Sequence, residues 1–352
     1  PLCIYEKRER FLKLGEEENS YYVDCGYPLT PLQSFAIGII SSSFSNLLDF
    51  KLTDSTNTFN KSFPYIFESF KKFAEDSKYE HLERCFKQAK KYMNAGYDGF
   101  KMIEGYPTFI KYSKLDIDSV AYDKFYEYCE KNDIPILLHM ANPDENWDIK
   151  HASKEAIAQG RVYDETYPSK ETITNQMFSI LKKYPRLRLI IAHFGFFSNH
   201  IEDAEKFLGE YKNTIIDITP GGEQLINMSK NWEMWHEYFN KYQDRIVYGT
   251  DFYAFPKDEN YEVCYRRRPD FVSNFFEDSN EHIYLDVKFK GINLEKELIE
   301  KIYYKNFDKI MGTPKDINKE YAIKELERLE KETASSFDLY DIKYMKKEFK
   351  NE

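Results

Sequence analysis

Short apolar runs that stop abruptly at small or polar residues recur along this chain, and between them apolar positions return every three or four residues. Runs of the first kind are buried-strand patterns, and the second rhythm is that of amphipathic helices. Phe35–Ile40, Pro64–Phe70, Tyr97–Glu104, Ile134–Leu138, Leu187–Ala192, Thr214–Thr219 and Arg245–Asp251 read as strands. From Tyr79 to Met93 the residues Leu82, Cys85, Phe86, Ala89, Tyr92 and Met93 share one helical face, and Gly96 supplies a left-handed stop. Helices are also predicted over 119–131, from a Ser169 cap through Lys183, over 200–211, 231–242 and 270–277, and from Asn293 through Ile302. The connection 141–168 is long enough to carry function.

Seven strands, nearly all followed by a helix, need crossover connections and therefore a parallel sheet. Two architectures satisfy that alternation, a (β/α)8 TIM barrel and an open doubly wound sheet. The second lacks its glycine-rich turn here, and a barrel collects its chemistry at the carboxyl ends of several strands. The expected fold is thus an α/β barrel over residues 1–312, one strand short at its start, with a charged helical extension over 313–352 packed on it. Tyr321, Ile323, Leu326 and Leu329 give that extension its helical rhythm. Beyond Asp251 the alternation gives way to a loop over 252–268.

Composition narrows the function classes. The 352 residues carry a formal charge of -10, and Arg266-Arg267-Arg268 is the one notable basic knot, so a nucleic-acid partner is not expected. Five cysteines, widely spaced and without a CxxC pair, indicate neither a disulfide framework nor a thiolate zinc site, and a reducing cytoplasmic setting fits them. No apolar run approaches the roughly 20 residues needed to cross a bilayer, and the opening Pro1-Leu2-Cys3-Ile4 does not read as a signal peptide. Because the chain opens on Pro1 while the strand count is short at that end, the first strand is expected upstream.

Three polar residues close three of these strands: His139, His193 and Asp251. A strand-end histidine is usually a hydrogen-bonded core residue, but three such groups at corresponding ends suit a catalytic divalent cation. Such ions take imidazole and carboxylate ligands and leave one position for water. Lys101 and Glu104 end another strand, either as a pair at the barrel mouth or in contact with substrate; a nucleophilic lysine is a third reading of Lys101. Trp147, Tyr167 and Phe252 lie on loops at the same rim and are candidate substrate contacts. The arginine knot reads better as a solvated helix start than as a carboxylate fork, and His81, His200, His236 and His282 fall in or beside predicted helices as structural groups.

Gly96 to Pro107, Ile134 to Pro143 with His139, Tyr167-Pro168-Ser169-Lys170, Leu189 to Gly195 with His193, and Gly249-Thr250-Asp251 together resemble the amidohydrolase-related metal-dependent hydrolases. The layout is most similar to the branch that includes aminocarboxymuconate-semialdehyde decarboxylase, and the likeness runs over roughly 34–312. It implies a distorted TIM barrel with one divalent metal, commonly zinc, acting on a small molecule; a homodimer is the family's habit. His139 and Asp251 would be metal ligands, and His193 would sit beside the metal water or bind the metal itself, with Asp251 and His193 as acid or base. The family's His-x-His on the first strand is missing. Either it lies upstream of Pro1 or the protein is a metal-poor barrel without enzymatic activity. The implied function is hydrolysis of a small carboxylate-bearing molecule through a metal-activated water, with non-oxidative decarboxylation as the alternative.

Overall fold

A computed structural model describes residues 86–87, 89–94, 96–158, 160–219, 223–249, 261–284, 287–312, 318–332 and 342–347. The predicted strands near 37 and 66, His81 and the end of the Asp251 strand lie outside the described residues. The remaining strands are β1 (Phe100–Gly105), β2 (Ile136–Met140), β3 (Leu189–Ile191), β4 (Thr214–Asp217) and β5 (Ile246–Val247). They form one parallel sheet in the order β1-β2-β3-β4-β5. A doubly wound sheet reverses direction at a switch point, whereas this order follows the chain without reversal, as the wall of a (β/α)8 fold does.

Burial explains why these runs are strands. All of Thr214–Asp217 is buried, the signature of a parallel strand covered on both faces. In β1 and β2 buried residues alternate with half-buried ones, so one face meets helices while the other looks inward. Phe100, on the helix-facing side, packs edge-on against Phe125 with ring centroids 5.0 Å apart. Between β1 and β2 the register slips between Met102 and Gly105. A Cβ on Gly105 would collide with the His139 carbonyl oxygen, so glycine is what lets the two strand ends close together.

Helices alternate with the strands. They are α1 (Pro107–Ser113), α2 (Asp123–Lys131), α3 (Lys154–Ala158), α4 (Lys170–Lys183), α5 (Ile201–Glu210), α6 (Glu223–Lys230) and α7 (Trp232–Lys241). Ser169 caps α4 as predicted, its Oγ accepting from the Thr172 amide at 3.0 Å. Ile173, Met177, Ile180 and Leu181 of α4, Ala204, Phe207 and Leu208 of α5, and Trp235, Tyr238 and Phe239 of α7 are buried in the core. Residues 86–87 and 89–94 are helical, and Gly96 takes a φ of 104° at the predicted stop.

Three expectations are corrected beyond β5. The predicted loop 252–268 is helical from Tyr261, within α8 (Tyr261–Glu277), which tolerates Pro269 in its interior. An antiparallel hairpin, β6 (Glu281–Tyr284) with β7 (Val287–Lys290), follows, and its alternation of His282, Tyr284 and Phe289 was too short to stand out. Asn293 does not start a helix: it takes a left-handed φ of 47° and bonds to the Asp278 carbonyl. The helix begins instead with α9 (Lys296–Glu300), continues through a π-type turn at Lys301–Lys305, and ends in α10 (Asn306–Met311). Further on, α11 (Lys319–Glu332) is tied to residues 342–347 by Lys346, which pairs with Glu330 at 2.7 Å. No helix among the described residues is long and apolar enough to cross a membrane.

Candidate active site

Strand order puts the carboxyl ends of β1 to β5 side by side, and two predicted histidines meet there. The rings of His139 and His193 lie 4.9 Å apart, edge to face. His139 arrives inside β2, on extended backbone, and its Nε2 lies 3.2 Å from the Ala141 carbonyl oxygen. The expectation that His193 closes its strand in the same way is corrected. β3 ends at Ile191, and His193 stands in a left-handed turn where His193, Phe194, Gly195 and Phe196 have φ values of 55°, 55°, 60° and 54°. For an L-residue that conformation costs roughly 1–2 kcal/mol, and strain of this kind collects at functional sites.

Phe196 connects the two imidazoles. Its ring stacks on His193 at 5.3 Å with the planes 24° apart, and it meets His139 at 5.8 Å. The turn is buttressed from below: the Lys170 ammonium donates to the Phe196 carbonyl at 2.5 Å and pairs with Asp144 at 3.0 Å. Asp144 also accepts from His200 at 2.8 Å. Despite a burial cost, these two partners hold the Asp144 carboxyl down at about 2. His200 thus pairs with Asp144, in line with a structural reading; Asp144 was not singled out in the sequence, and Lys170 appeared only within the Tyr167–Lys170 motif, without a role.

His193 is half-buried, and its Nδ1 is shielded from solvent with no hydrogen-bond partner. Desolvation first, then the positive charges of Lys101, Arg268 and Arg161, push its pKa down to about 3, against a hydrogen bond to the Thr219 backbone that raises it. The ring is thus neutral near pH 7. Glu104, at the end of β1, has a buried Oε2 without a partner, and desolvation raises its carboxyl to about 7 although two backbone hydrogen bonds and the Lys101 charge oppose this. Buried polar atoms are rarely left unpaired, so each asks for an explanation.

An aromatic wall extends from the histidines. Tyr106 lies 5.1 Å from His139. Tyr163 shares a side-chain hydrogen bond with Tyr106, accepts from the Asn142 amide at 2.6 Å, and has its phenol pKa pushed up by burial. Its ring touches Trp147 at 4.8 Å and Tyr167 at 4.9 Å. Trp147 donates to the Pro168 carbonyl, and the Lys111 ammonium lies 3.6 Å from the centre of the Tyr167 ring. The two rim aromatics are therefore joined to His139 through Tyr163 and Tyr106, which sequence reasoning left unassigned. Arg161 carried no signal in the sequence beyond its place on the long loop.

At the next two strand ends, Asp217 accepts from the Thr219 amide at 2.8 Å and from its hydroxyl at 2.6 Å. Gly249 packs directly on this pair, since a Cβ there would strike the Thr219 hydroxyl and come 2.5 Å from Asp217 Oδ1. Asp251 and Phe252 lie outside the described residues. Among the described residues no three His, Cys, Asp or Glu side chains form a metal-binding group. The donors that are present nevertheless fit part of a divalent-cation site: a neutral imidazole with a bare Nδ1 is ligand-ready, and a second imidazole stands beside it.

A parallel α/β fold with adjacent histidines at its strand ends defines the class, and the sequence places the chain within it. The amidohydrolase family profile matches residues 80–313, about two thirds of the chain, and the chain belongs to that family. No curated protein matches it. Among solved structures it is similar to an uncharacterized TIM-barrel protein of Bordetella bronchiseptica, with 14% identity over 65% of this chain and a TM-score of 0.39. The chain spans 62% of that protein's length. A putative amidohydrolase from Staphylococcus aureus shares 17% identity over 74% of this chain and 82% of its own, at a TM-score of 0.40. For 2,6-dihydroxybenzoate decarboxylase from Rhizobium the figures are 12%, 74% and 80%, with a TM-score of 0.39.

Proposed function

We propose that this chain is a metal-dependent hydrolase of a small carboxylate-bearing molecule. The observation that carries the reading is the His139–His193 pair, 4.9 Å apart, with His193 held neutral and its Nδ1 bare. His139 and Asp251 would hold the ion, with His193 beside it. When bound, a divalent cation such as zinc supplies Lewis-acid polarisation of the scissile group.

The remaining chemistry belongs to the chain. His193, its pKa held low and its Nδ1 bare, would accept a hydrogen bond from the attacking water and orient it rather than carry its proton. Asp251 would serve as the acid or base for that water. Glu104, raised to about 7, holds or releases a proton near neutrality. Lys101, Arg161 and Arg268 all bear electrostatically on His193, and such a positive field draws in an anionic substrate. The same field favours hydrolysis over decarboxylation, because cations that stabilise a carboxylate oppose its loss as carbon dioxide. Tyr106, Tyr163, Trp147 and Tyr167 would close one flank against water, and Phe252 would add to them.

Metal content of the purified protein is the direct measurement. Wild type should hold a divalent ion that His139→Ala and Asp251→Asn reduce severalfold, and should turn over some member of a panel of lactones, amides and aromatic carboxylates in a chelator-sensitive way. Metal content indifferent to both substitutions would sink the reading, and release of carbon dioxide from the aromatic carboxylates would replace hydrolysis by decarboxylation.

A further inference from the structure

Lys170 breaks a local rule. It is the first residue of α4, where the helix dipole presents positive charge and a cation is disfavoured. Its side chain is only 10% exposed, although lysine heads ordinarily stay in water. The helix does not need it, because Ser169 already satisfies the Thr172 amide. Residues that violate local preference while their surroundings compensate are expected at functional sites.

Its contacts show what the compensation achieves. The ammonium donates to the Phe196 carbonyl, the last residue of the left-handed run, and Asp144 neutralises it from the connection after β2. Asp144 in turn binds His200, the residue from which α5 departs. One Lys–Asp pair, its lysine buried and its aspartate half-buried, thus grips the segment 193–200 at two points. The Phe196 ring, carried on the peptide that Lys170 fixes, is the ring stacked on His193 and set against His139.

We infer that Lys170 is a positioning residue for His193, holding the left-handed turn and the Phe196 ring so that the imidazole presents its bare Nδ1 to the site. Asp144 is its obligatory partner, keeping the ammonium on the carbonyl. The inference rests on the proposed role of His193 for its catalytic consequence but not for its geometry.

The test uses the full chain with isotope-labelled histidine and phenylalanine. In wild type, ring protons of His193 and Phe196 should show a strong through-space contact by NMR. Lys170→Met should weaken or abolish that contact, and on a substrate found in the panel above should lower kcat by about 100-fold with KM little changed, the scale expected of a misplaced catalytic group. A purely structural lysine would lower the melting temperature and leave the ring contact and kcat of the folded fraction intact; that result overturns the inference. Should Lys170→Met fail to fold, Asp144→Asn keeps the shape, releases the ammonium and is read in the same way. The ring contact decides without any substrate. Loss of the contact in Lys170→Met, together with a fully active His193→Asn, would remove His193 from the chemistry and leave the positioning role standing.

Discussion

The two histidines reach one site by different physical routes. His139 is carried by β2 between two ladder residues, Leu138, which pairs with both β1 and β3, and Met140, which pairs with Gly105 of β1, so the flanking pairs fix its backbone. His193 lies past the end of β3, in a left-handed turn that no ladder supports, and side chains hold it: Lys170, Asp144 and Phe196. The first arrangement is stiff by construction. The second carries strain that the surroundings must over-determine, so the two sides should fail in different ways when disturbed.

Glycine substitutions break the comparison most sharply. Gly195 sits at φ 60°, where an added Cβ would lie 2.6 Å from Ile191 Cδ1 and 2.9 Å from the Phe197 ring. Gly195→Ala should cost about 2–5 kcal/mol, adding left-handed strain to overpacking, and a urea midpoint shift at constant slope measures it. Part of that loss should return in Gly195→Ala/Ile191→Val, because the obstacle is a side-chain tip. Gly105→Ala, on the His139 side, meets the backbone oxygen of His139 and Met140 Cα at 3.0 Å. Its loss should be of similar size, about 3 kcal/mol, but trimming neighbouring side chains should not rescue it. Rescue of Gly105→Ala, or none for Gly195→Ala, would erase the distinction drawn between ladder and turn.

What the sequence made legible follows the same division. His139 was readable because a short apolar run ends at it, and Lys101 and Glu104 were readable because they close another strand-like run. His193 was placed at the right strand, but its turn was not foreseen, because consecutive left-handed residues leave no mark on a hydrophobic pattern when only Gly195 is glycine. Ser169 announced α4, while Lys170 beside it stood in a family-like motif without a role until its partners, distant in sequence, came together. The arginine knot read as a helix start, and α8 does run through it, yet Arg268 also bears on His193. Long-range pairing is what local patterns cannot encode.

Each side of the site also keeps one buried polar atom without a partner, Glu104 Oε2 beside the β2 side and Nδ1 of His193 on the turn. For Glu104 the consequence is measurable as stability against pH. Its carboxyl is raised from 4.5 to about 7, so the folded state binds a proton that the unfolded state has released. Between those values stability should fall as pH rises, by at most about 3 kcal/mol once pH 7 is passed. Glu104→Gln should remove that part of the slope, leaving the variant more stable than wild type at pH 8 and little changed at pH 4.5. Parallel stability profiles for the two proteins would show that Glu104 is solvated or paired in solution, and the β1 end would then lose its claim to a stored charge.

The smallest effect tests whether the His139 side stores strain of its own. Ala141, just past β2, is left-handed at φ 56° and fully buried; its amide bonds the Gly105 carbonyl and its carbonyl oxygen faces His139 Nε2. Replacing it with glycine relieves roughly 1–2 kcal/mol of backbone strain. Against that, glycine loses about 0.5–1 kcal/mol more chain entropy on folding, and a buried methyl is worth about 0.8 kcal/mol. These terms nearly cancel, so Ala141→Gly should lie within about 0.5 kcal/mol of wild type in urea unfolding. A gain well beyond that would mean the strain at Ala141 is larger than one residue's share, and that the β2 end, like the His193 turn, is held in place against its own backbone preference. A loss of 2 kcal/mol or more would mean that the methyl, rather than the paired strands, sets the position of His139.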